Sequence, residues 1–334
     1  MKNALDNLLQ EALNKLRKAP QPEWISPMLA TLTDKRFSDK DWIFERKLDG
    51  ERCLAFRHDN NMRLMSRNQK ELNNTYPELV DSLLKLKSND FIVDGEIVAF
   101  EGDKTSFSRL QGRMQIRNRQ AAMRSNIKVF YYLFDLLYLG GYDVAGLELR
   151  HRKMLLMNLF SEEPERLVRY TEHREEEGLA YFKDACAEGW EGLIAKRASS
   201  PYSSKRSRDW LKFKCSYGQE LVIGGYTEPR SSRIGFGALL VGYYEGNHLV
   251  YAGKVGTGFN ENMLQNLGER LSSIERRTSP FADYTLPAKG VHWVEPELVG
   301  QIGFSEWTPD GRLRHPRFLG LRDDKDPHEV VKER

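Results

Sequence analysis

No apolar run in this 334-residue chain approaches the roughly 20 residues that a membrane-spanning helix needs. The start of the chain also lacks the continuous apolar core of a secretory signal, because Leu5, Leu8, Leu9, Ala12 and Leu13 are spaced apart. These absences predict a soluble protein of the cytoplasm with no membrane partner. Cysteine is scarce: only Cys53, Cys186 and Cys215 are present, far from one another. Such spacing fits neither a disulfide framework nor a zinc centre, so reduced thiols are expected. Internal repeats and low-complexity segments are missing too. Finally, Gly253-Lys-Val-Gly-Thr-Gly lacks the Gly-Lys-Ser/Thr ending of a phosphate loop and lies among strand-like segments, which excludes an ATP loop there.

What the chain does contain is a balanced, folded composition, 40% hydrophobic and 30% charged. Its length exceeds one ordinary core and predicts two domains. The net charge of +3 says little by itself. Clustering says more: Arg109, Arg113, Arg117, Arg119 and Arg124 stand in a stretch without an acid. Lys205-Arg206-Ser-Arg208 and Arg312-Leu-Arg314-His-Pro-Arg317 are further basic runs. Each alone reads as a solvated face; together they favour a phosphate-backbone partner.

Leu5, Leu8, Leu9, Ala12, Leu13 and Leu16 share one helical face, so residues 4–17 predict a helix that packs on the body, closed by Pro20 and Pro22. From Trp42 onward, short alternating segments predict strands at 42–45, 53–58 and 61–66. More apolar ones follow at 91–100 and 128–134. Helices are expected at 76–87, 151–159 and 177–188. This is α+β grammar with a largely antiparallel sheet. Beyond Lys214, strands at 220–226, 238–244, 248–254, 291–295, 298–304 and 313–319, with a helix at 261–274, predict a small oligonucleotide-binding (OB-fold) barrel.

Chemistry concentrates at Glu45-Arg-Lys47-Leu-Asp49-Gly50-Glu-Arg52. A lysine is a nucleophile only when neutral, and its reference pKa is about 10.4. It needs a cationic, metal-bearing or desolvated setting. Other segments offer parts of one. Asp94-Gly-Glu96 brings two carboxylates; Tyr131-Tyr-Leu-Phe134-Asp135 ends a strand on an aromatic. Glu191-Gly-Leu-Ile-Ala-Lys196 adds a carboxylate and a lysine, and Trp210-Leu-Lys212-Phe-Lys214 puts two lysines on one strand face. Taken singly, each piece is more often a turn, a core residue or a solvated strand.

In this order and spacing the segments resemble the motifs of the covalent nucleotidyltransferases, which include DNA ligases, RNA ligases and RNA-capping enzymes. The resemblance covers residues 45 to 318 and is most specific to the ligase module of bacterial and archaeal ligase D. Pro27-Met-Leu-Ala-Thr, Trp42-Ile-Phe-Glu45, Ala252-Gly-Lys254-Val-Gly-Thr-Gly-Phe259 and Arg314-His-Pro-Arg-Phe318 carry that part of it. It implies an N-terminal amphipathic helix over 1–20, an antiparallel-sheet adenylation domain over 21–217 and an OB-fold domain over 218–334.

The resemblance also implies roles. Lys47 would take AMP from ATP as a phosphoramidate, with Asp49 aligning the attack. Glu45 would lie along the adenine edge, largely through its backbone, and Phe134 would stack on the base. Arg52 and Arg67 would touch ribose or phosphate. Glu96 would contact ribose and, with Glu191, a divalent metal, Mg²⁺ or Mn²⁺. Lys212 and Lys214 would hold the AMP phosphate, and Arg314 and Arg317 would reach the pyrophosphate. Arg109, Arg113, Arg206 and Lys254 would face DNA. Positive neighbours would depress the pKa of Lys47. Where related chains carry glycine after Ser66-Arg67-Asn68, Gln69 stands here, which puts the local turn in question. The expected substrate is nicked duplex DNA. Ku or separate end-joining polymerase and nuclease proteins are partners by resemblance alone, and the chain is expected to be a monomer. RNA ligation or capping is an alternative that the ending around Arg314 disfavours. A non-catalytic binder of DNA ends is another, disfavoured by the presence of Lys47, Glu96 and Glu191.

Overall fold

The structure is a computed structural model that describes residues 10–160, 167–215, 218–229, 234–285 and 289–333. The chain divides into two compact units, Met1–Cys215 and Ser216–Arg334. Among the described residues no helix is long and apolar enough to cross a membrane.

The first unit opens with α1 (Gln10–Lys15), β1 (Arg17–Lys18) and β2 (Leu29–Leu32). Next come β3 (Trp42–Arg46), β4 (Glu51–His58), β5 (Asn61–Ser66), α2 (Pro77–Leu84), β6 (Asp90–Glu101) and β7 (Lys104–Thr105). They are followed by α3 (Phe107–Met114), α4 (Arg119–Met123), β8 (Val129–Leu139), β9 (Tyr142–Asp143) and α5 (Leu149–Phe160). The unit ends with β10 (Val168–Tyr170), β11 (His173–Glu175), α6 (Gly178–Ala187), β12 (Gly192–Arg197) and β13 (Arg206–Lys214). The expected N-terminal helix is seen as α1, where Ala12 enters the core and Leu13 and Leu16 pack on it. Residues 1–9 of that expectation lie outside the described residues.

Two sheets carry this unit. One runs β1-β9-β8-β6-β4-β5, with β10 on β8 and β7 on β6; the other runs β11-β3-β12-β13-β2. Pairing is antiparallel except for β10 on β8 and β2 on β13. Strand alternation separates two environments. Cys53, Ala55, Phe91, Val93, Tyr131 and Leu133 face α2, α3 and α5 in the main core. Leu54, Phe56, Ile92 and Phe134 face the other way and meet Met28 just before β2, Tyr202 between β12 and β13, and Trp210 on β13. A register shift between Asp94 and Gly95 breaks strict alternation along β8, which lets Leu133 and Leu136, three residues apart, both enter the main core while Phe134 faces the other side. In the second sheet Trp42, Phe44, Leu193, Ala195 and Phe213 pack against Tyr181 and Ala185 of α6. Its opposite face is left to Glu45, Lys196 and Trp210.

Two expectations are corrected in this unit. The thiols are not all reduced: Cys186 on α6 and Cys215 after β13 are joined, with Cα atoms 5.3 Å apart, and Cys53 is free and buried. Spacing in sequence could not show this, because folding brings together residues 29 positions apart. The arginine run after Arg109 falls on and beside two capped helices, where Arg109, Arg117, Arg119 and Arg124 are exposed as expected. Ser106 accepts from Arg109 N–H at the start of α3, and Asn118 accepts from Ala121 N–H at the start of α4. Within α3, Arg113 is wholly buried and donates to both oxygens of Glu78 at 2.8 Å, so it is a structural arginine with no face for DNA.

The second unit contains β14 (Gly218–Thr227), β15 (Leu239–Glu245), β16 (His248–Val255), α7 (Glu261–Ser273), β17 (Glu275–Arg276), β18 (Val291–Gly303), β19 (Glu306–Trp307), β20 (Leu313–Arg314) and β21 (Arg317–Leu321). It has the OB-fold, its main sheet running β16-β15-β14-β18-β17 with β21 on β18. The strands expected at 291–295 and 298–304 are one strand. Pairing with β14 jumps from Leu298 to Trp293, so Pro296 sits in the irregularity and no ladder donor is needed from it. The strand expected at 313–319 is broken instead, at His315 (φ 50°) and Pro316.

Candidate active site

Lys47 follows β3, and its N–H donates to the Gly192 carbonyl at 2.9 Å. Gly192 in turn pairs with Lys214, while Ile194 lies between Glu45 and Lys212. Alternation therefore lines up Glu45 and Lys47, then Ile194 and Lys196, then Trp210, Lys212 and Lys214, on the face of the second sheet turned away from α6. Two glycines make the close packing possible. A Cβ on Gly192 (φ 146°) would stand 1.9 Å from the Phe213 carbonyl oxygen. One on Gly50 would stand 2.1 Å from that of Ile97. Gly50 is thus required by the close approach of β6, and not by a positive-φ turn.

The Lys47 ammonium donates to the Glu191 carboxylate, both being about four-fifths enclosed. Burial alone would drive its pKa down. Glu191, followed by Asp49 and Glu96, outweighs burial, and Lys47 stands above the ordinary lysine range. This overturns the expected depression: the nearest charges are negative. Glu96 faces Arg52 across the β4–β6 ladder. Among the described residues no three acidic, histidine or cysteine side chains converge as a metal cage. The donor set is instead Glu96 and Glu191 beside Lys47. Oxygen-seeking Mg²⁺ commonly takes one or two carboxylates and completes its shell with substrate phosphates and water, so the set fits such an ion.

Arg52 donates to both oxygens of fully buried Asp94, at 2.5 and 2.6 Å. Tyr202 donates to the same carboxylate at 2.7 Å while its oxygen accepts from Met28 N–H. The two carboxylates of Asp94-Gly-Glu96 therefore have separate work, one clamping Arg52 and one near Lys47. The Arg52 guanidinium lies 4.5 Å from the Phe134 ring centre and the Lys196 ammonium 4.3 Å from it. Glu45 is buried between Lys153 Nζ (2.7 Å) and Lys196 Nζ (2.6 Å). Burial would raise its pKa, but the two ammonium groups hold it below the usual carboxylate range.

Arg67 sits in the turn after β5, where Gln69 takes a φ of 59° and its N–H donates to Ser66 O at 3.0 Å. The turn survives without glycine, at the cost of a left-handed side-chain-bearing residue. Arg109 and Arg206 are exposed on the first unit, Arg206 donating to Ala30 O. Lys254, Arg314 and Arg317 are exposed on the second unit, Arg314 paired with Glu306 at 2.5 Å. The site also recruits Asp94, Lys153, Lys196 and Tyr202, to which sequence reading gave no role. Asp94 and Lys196 stood beside assigned residues. Lys153 and Tyr202 gave no local signal.

Comparison with known proteins identifies the family. The ATP dependent DNA ligase domain matches residues 27–214, and the ATP dependent DNA ligase C terminal region matches 232–325. The multifunctional non-homologous end joining protein LigD of Pseudomonas aeruginosa is 37% identical over 324 residues, 95% of this chain and 38% of that protein. This chain therefore spans about two fifths of that relative's length. The SPbeta prophage-derived DNA ligase-like protein LigB of Bacillus subtilis is 30% identical over 301 residues, 90% of this chain and 99% of that one. A solved mycobacterial DNA ligase D complexed with ATP and MES superposes with a TM-score of 0.65 at 36% identity, covering 92% of this chain and 98% of that one. The chain belongs to the ATP-dependent DNA ligase family.

Proposed function

We propose that this chain seals nicks bearing a 3′-hydroxyl and a 5′-phosphate in duplex DNA, through an adenylyl group carried on Lys47, and that it serves end joining. The observation that carries the reading is Lys47 bonded to Glu191, with Asp49 and Glu96 close enough to act on its charge. In the first step Lys47 gives its ammonium proton to solvent and attacks the α-phosphorus of ATP through Nζ; a P–N bond forms, the α–β bridging P–O bond breaks, pyrophosphate leaves, and the nitrogen's second proton goes to solvent. In the second, an oxygen of the DNA 5′-phosphate displaces Lys47 from the adenylyl phosphorus. In the third, the 3′-hydroxyl attacks that 5′-phosphate and AMP leaves.

The chain's own groups divide this work. Glu45 and Phe134 receive the base, Arg52 and Arg67 the ribose and phosphates, and Lys212 and Lys214 the α-phosphate, because phosphoryl transfer is chiefly positioning and charge neutralisation. Asp49 orients the attack. Arg314 and Arg317 supply charge to pyrophosphate. Glu96 and Glu191 would hold Mg²⁺ or Mn²⁺, which would screen Glu191 from Lys47 and counter phosphate charge. Arg109, Arg206 and Lys254 face the DNA backbone. LigD and LigB relatives, and ATP in the mycobacterial structure, support this reading. By the same kinship, Ku and separate polymerase or nuclease proteins are the proposed partners.

Incubation with α-labelled ATP and Mg²⁺, followed by denaturing electrophoresis, tests the reading. Wild-type protein should retain label, Lys47→Ala should not, and labelled GTP should label neither. Unlabelled wild-type protein, or label retained by Lys47→Ala, overturns it.

A further inference from the structure

Glu45 is only 2% exposed, and its two oxygens are held differently. Oε1 accepts from Lys153 Nζ at 2.7 Å. The same ammonium donates to the Thr171 carbonyl at 2.7 Å and lies 4.2 Å from the Tyr170 ring centre. Lys153, on α5, is therefore anchored by β3, β10 and the residue after β10. Lys196 Nζ is 2.6 Å from Oε2 but makes no aligned hydrogen bond. Its other neighbours are ring faces, Trp210 at 4.1 Å and Phe134 at 4.3 Å. One lysine is a fixed holder and the other an ammonium kept against the ring proposed to stack the base.

We propose that Lys153, from α5 and outside the motif set, is the positioning residue of the base site, holding Glu45 so that Lys196 stays turned toward Phe134. This rests on the reading of Lys47 and Phe134 given above. A buried carboxylate stripped of one donor draws fully on the cation that remains. Lys196 Nζ already touches Oε2, so without Lys153 it would be the one cation left on Glu45, and carboxylate and ammonium would turn together away from the ring. The effect is felt at the base rather than at the phosphorus, because Lys47 has its own partner in Glu191. It is also felt in selectivity. An acceptor beside a donor suits the adenine edge, with its amino group next to a ring nitrogen, whereas guanine presents two acceptors there.

The experiment is single-turnover adenylylation of the full chain over a range of ATP and GTP concentrations, with thermal melting alongside. Lys153→Met removes the ammonium. Lys153→Arg keeps the charge, but its planar guanidinium cannot place one donor between Glu45 and Thr171 in the same way. Both variants should raise the ATP concentration for half-maximal rate, Lys153→Met by roughly 10–100-fold, the value of one hydrogen bond to a charged group. Both should leave the maximal rate within roughly threefold and narrow the preference for ATP over GTP. Wild-type half-saturation and preference in Lys153→Arg overturn the proposal, whether or not Lys153→Met folds. So does a loss confined to the maximal rate. Label on wild-type Lys47 with unchanged variants removes this proposal alone; no label on wild type removes the nucleotide reading as well.

Discussion

Substitution of Gly50 by alanine tests how the Lys47 segment is set against its neighbours. The added Cβ would lie 2.1 Å from the Ile97 carbonyl oxygen, 2.8 Å from Val98 Cγ1 and 3.0 Å from Glu96 Cγ. The nearest of these atoms is backbone in the middle of β6, paired on both sides by β4 and β8, so it cannot swing away as a side-chain tip would. To reach ordinary contact the strands must part by roughly 1 Å in a densely packed interior. Overpacking of this kind costs about 1–3 kcal/mol, and a clash with fixed backbone belongs at the upper end. For a unit of this size that is a fall of about 5–10 °C in melting temperature. The same displacement moves Glu96 and Arg52 relative to Lys47, and a misplacement near 1 Å costs about 100-fold in rate. Circular-dichroism melting and the labelling assay on Gly50→Ala measure both effects. Wild-type melting together with wild-type labelling would refute the packing reasoning.

Arg113 and Arg109 should separate cleanly. Arg113→Met should destabilise the chain by about 3 kcal/mol or somewhat less, since Glu78 is left unpaired but about one-fifth exposed to water, as read from urea unfolding. Arg109→Ala should leave stability alone and reduce the salt dependence of DNA binding; the opposite pattern would contradict the burial described. Lys153 should also leave a mark on stability against pH. Burial, only partly offset by Glu45, lowers its pKa from 10.5 to about 8. A lysine whose folded pKa is depressed imposes its full cost below that value and is relieved as pH rises from about 8 toward 10.5. Urea midpoints should therefore gain more between about pH 7.5 and 9.5 in the wild type than in Lys153→Arg, which stays charged throughout. Lys47 has the opposite sign, its stabilisation being lost only as pH climbs above 10.5, outside that window. Equal gains in the two proteins would show that Lys153 is not strained by its burial.

Local pattern was enough for much of the first unit. Asn61–Ser66 alternates apolar and polar residues and forms β5 over those same residues. Lys212 and Lys214 share a face because strand side chains repeat every two residues, whatever the strand is paired with. The ordered motifs around Lys47, Glu96, Phe134, Glu191 and Lys214 likewise identified the family, since their spacing is a property of the chain. Interior punctuation was less legible. Pro296 reads as a strand break, yet β18 runs through it because the partner strand needs no donor there. His315, which no local rule marks, takes a φ of 50° and splits β20 from β21.

What tertiary structure decided is who neutralises whom. Arg113 and Arg109 are indistinguishable as letters in a basic run, but one turn of α3 buries the first on Glu78 and leaves the second in water. Asp94 had no assigned role beside Glu96, until Arg52 from the neighbouring strand β4 and Tyr202 from the segment before β13 both bonded to it. Cys186 and Cys215 look unrelated until α6 docks beside β13. Lys47 was expected among positive charges and sits among negative ones, with its pKa displaced upward. Local structure follows from periodicity along the chain. Charge state and site membership follow from contacts between residues distant in sequence, and those exist only once the sheets and helices have packed.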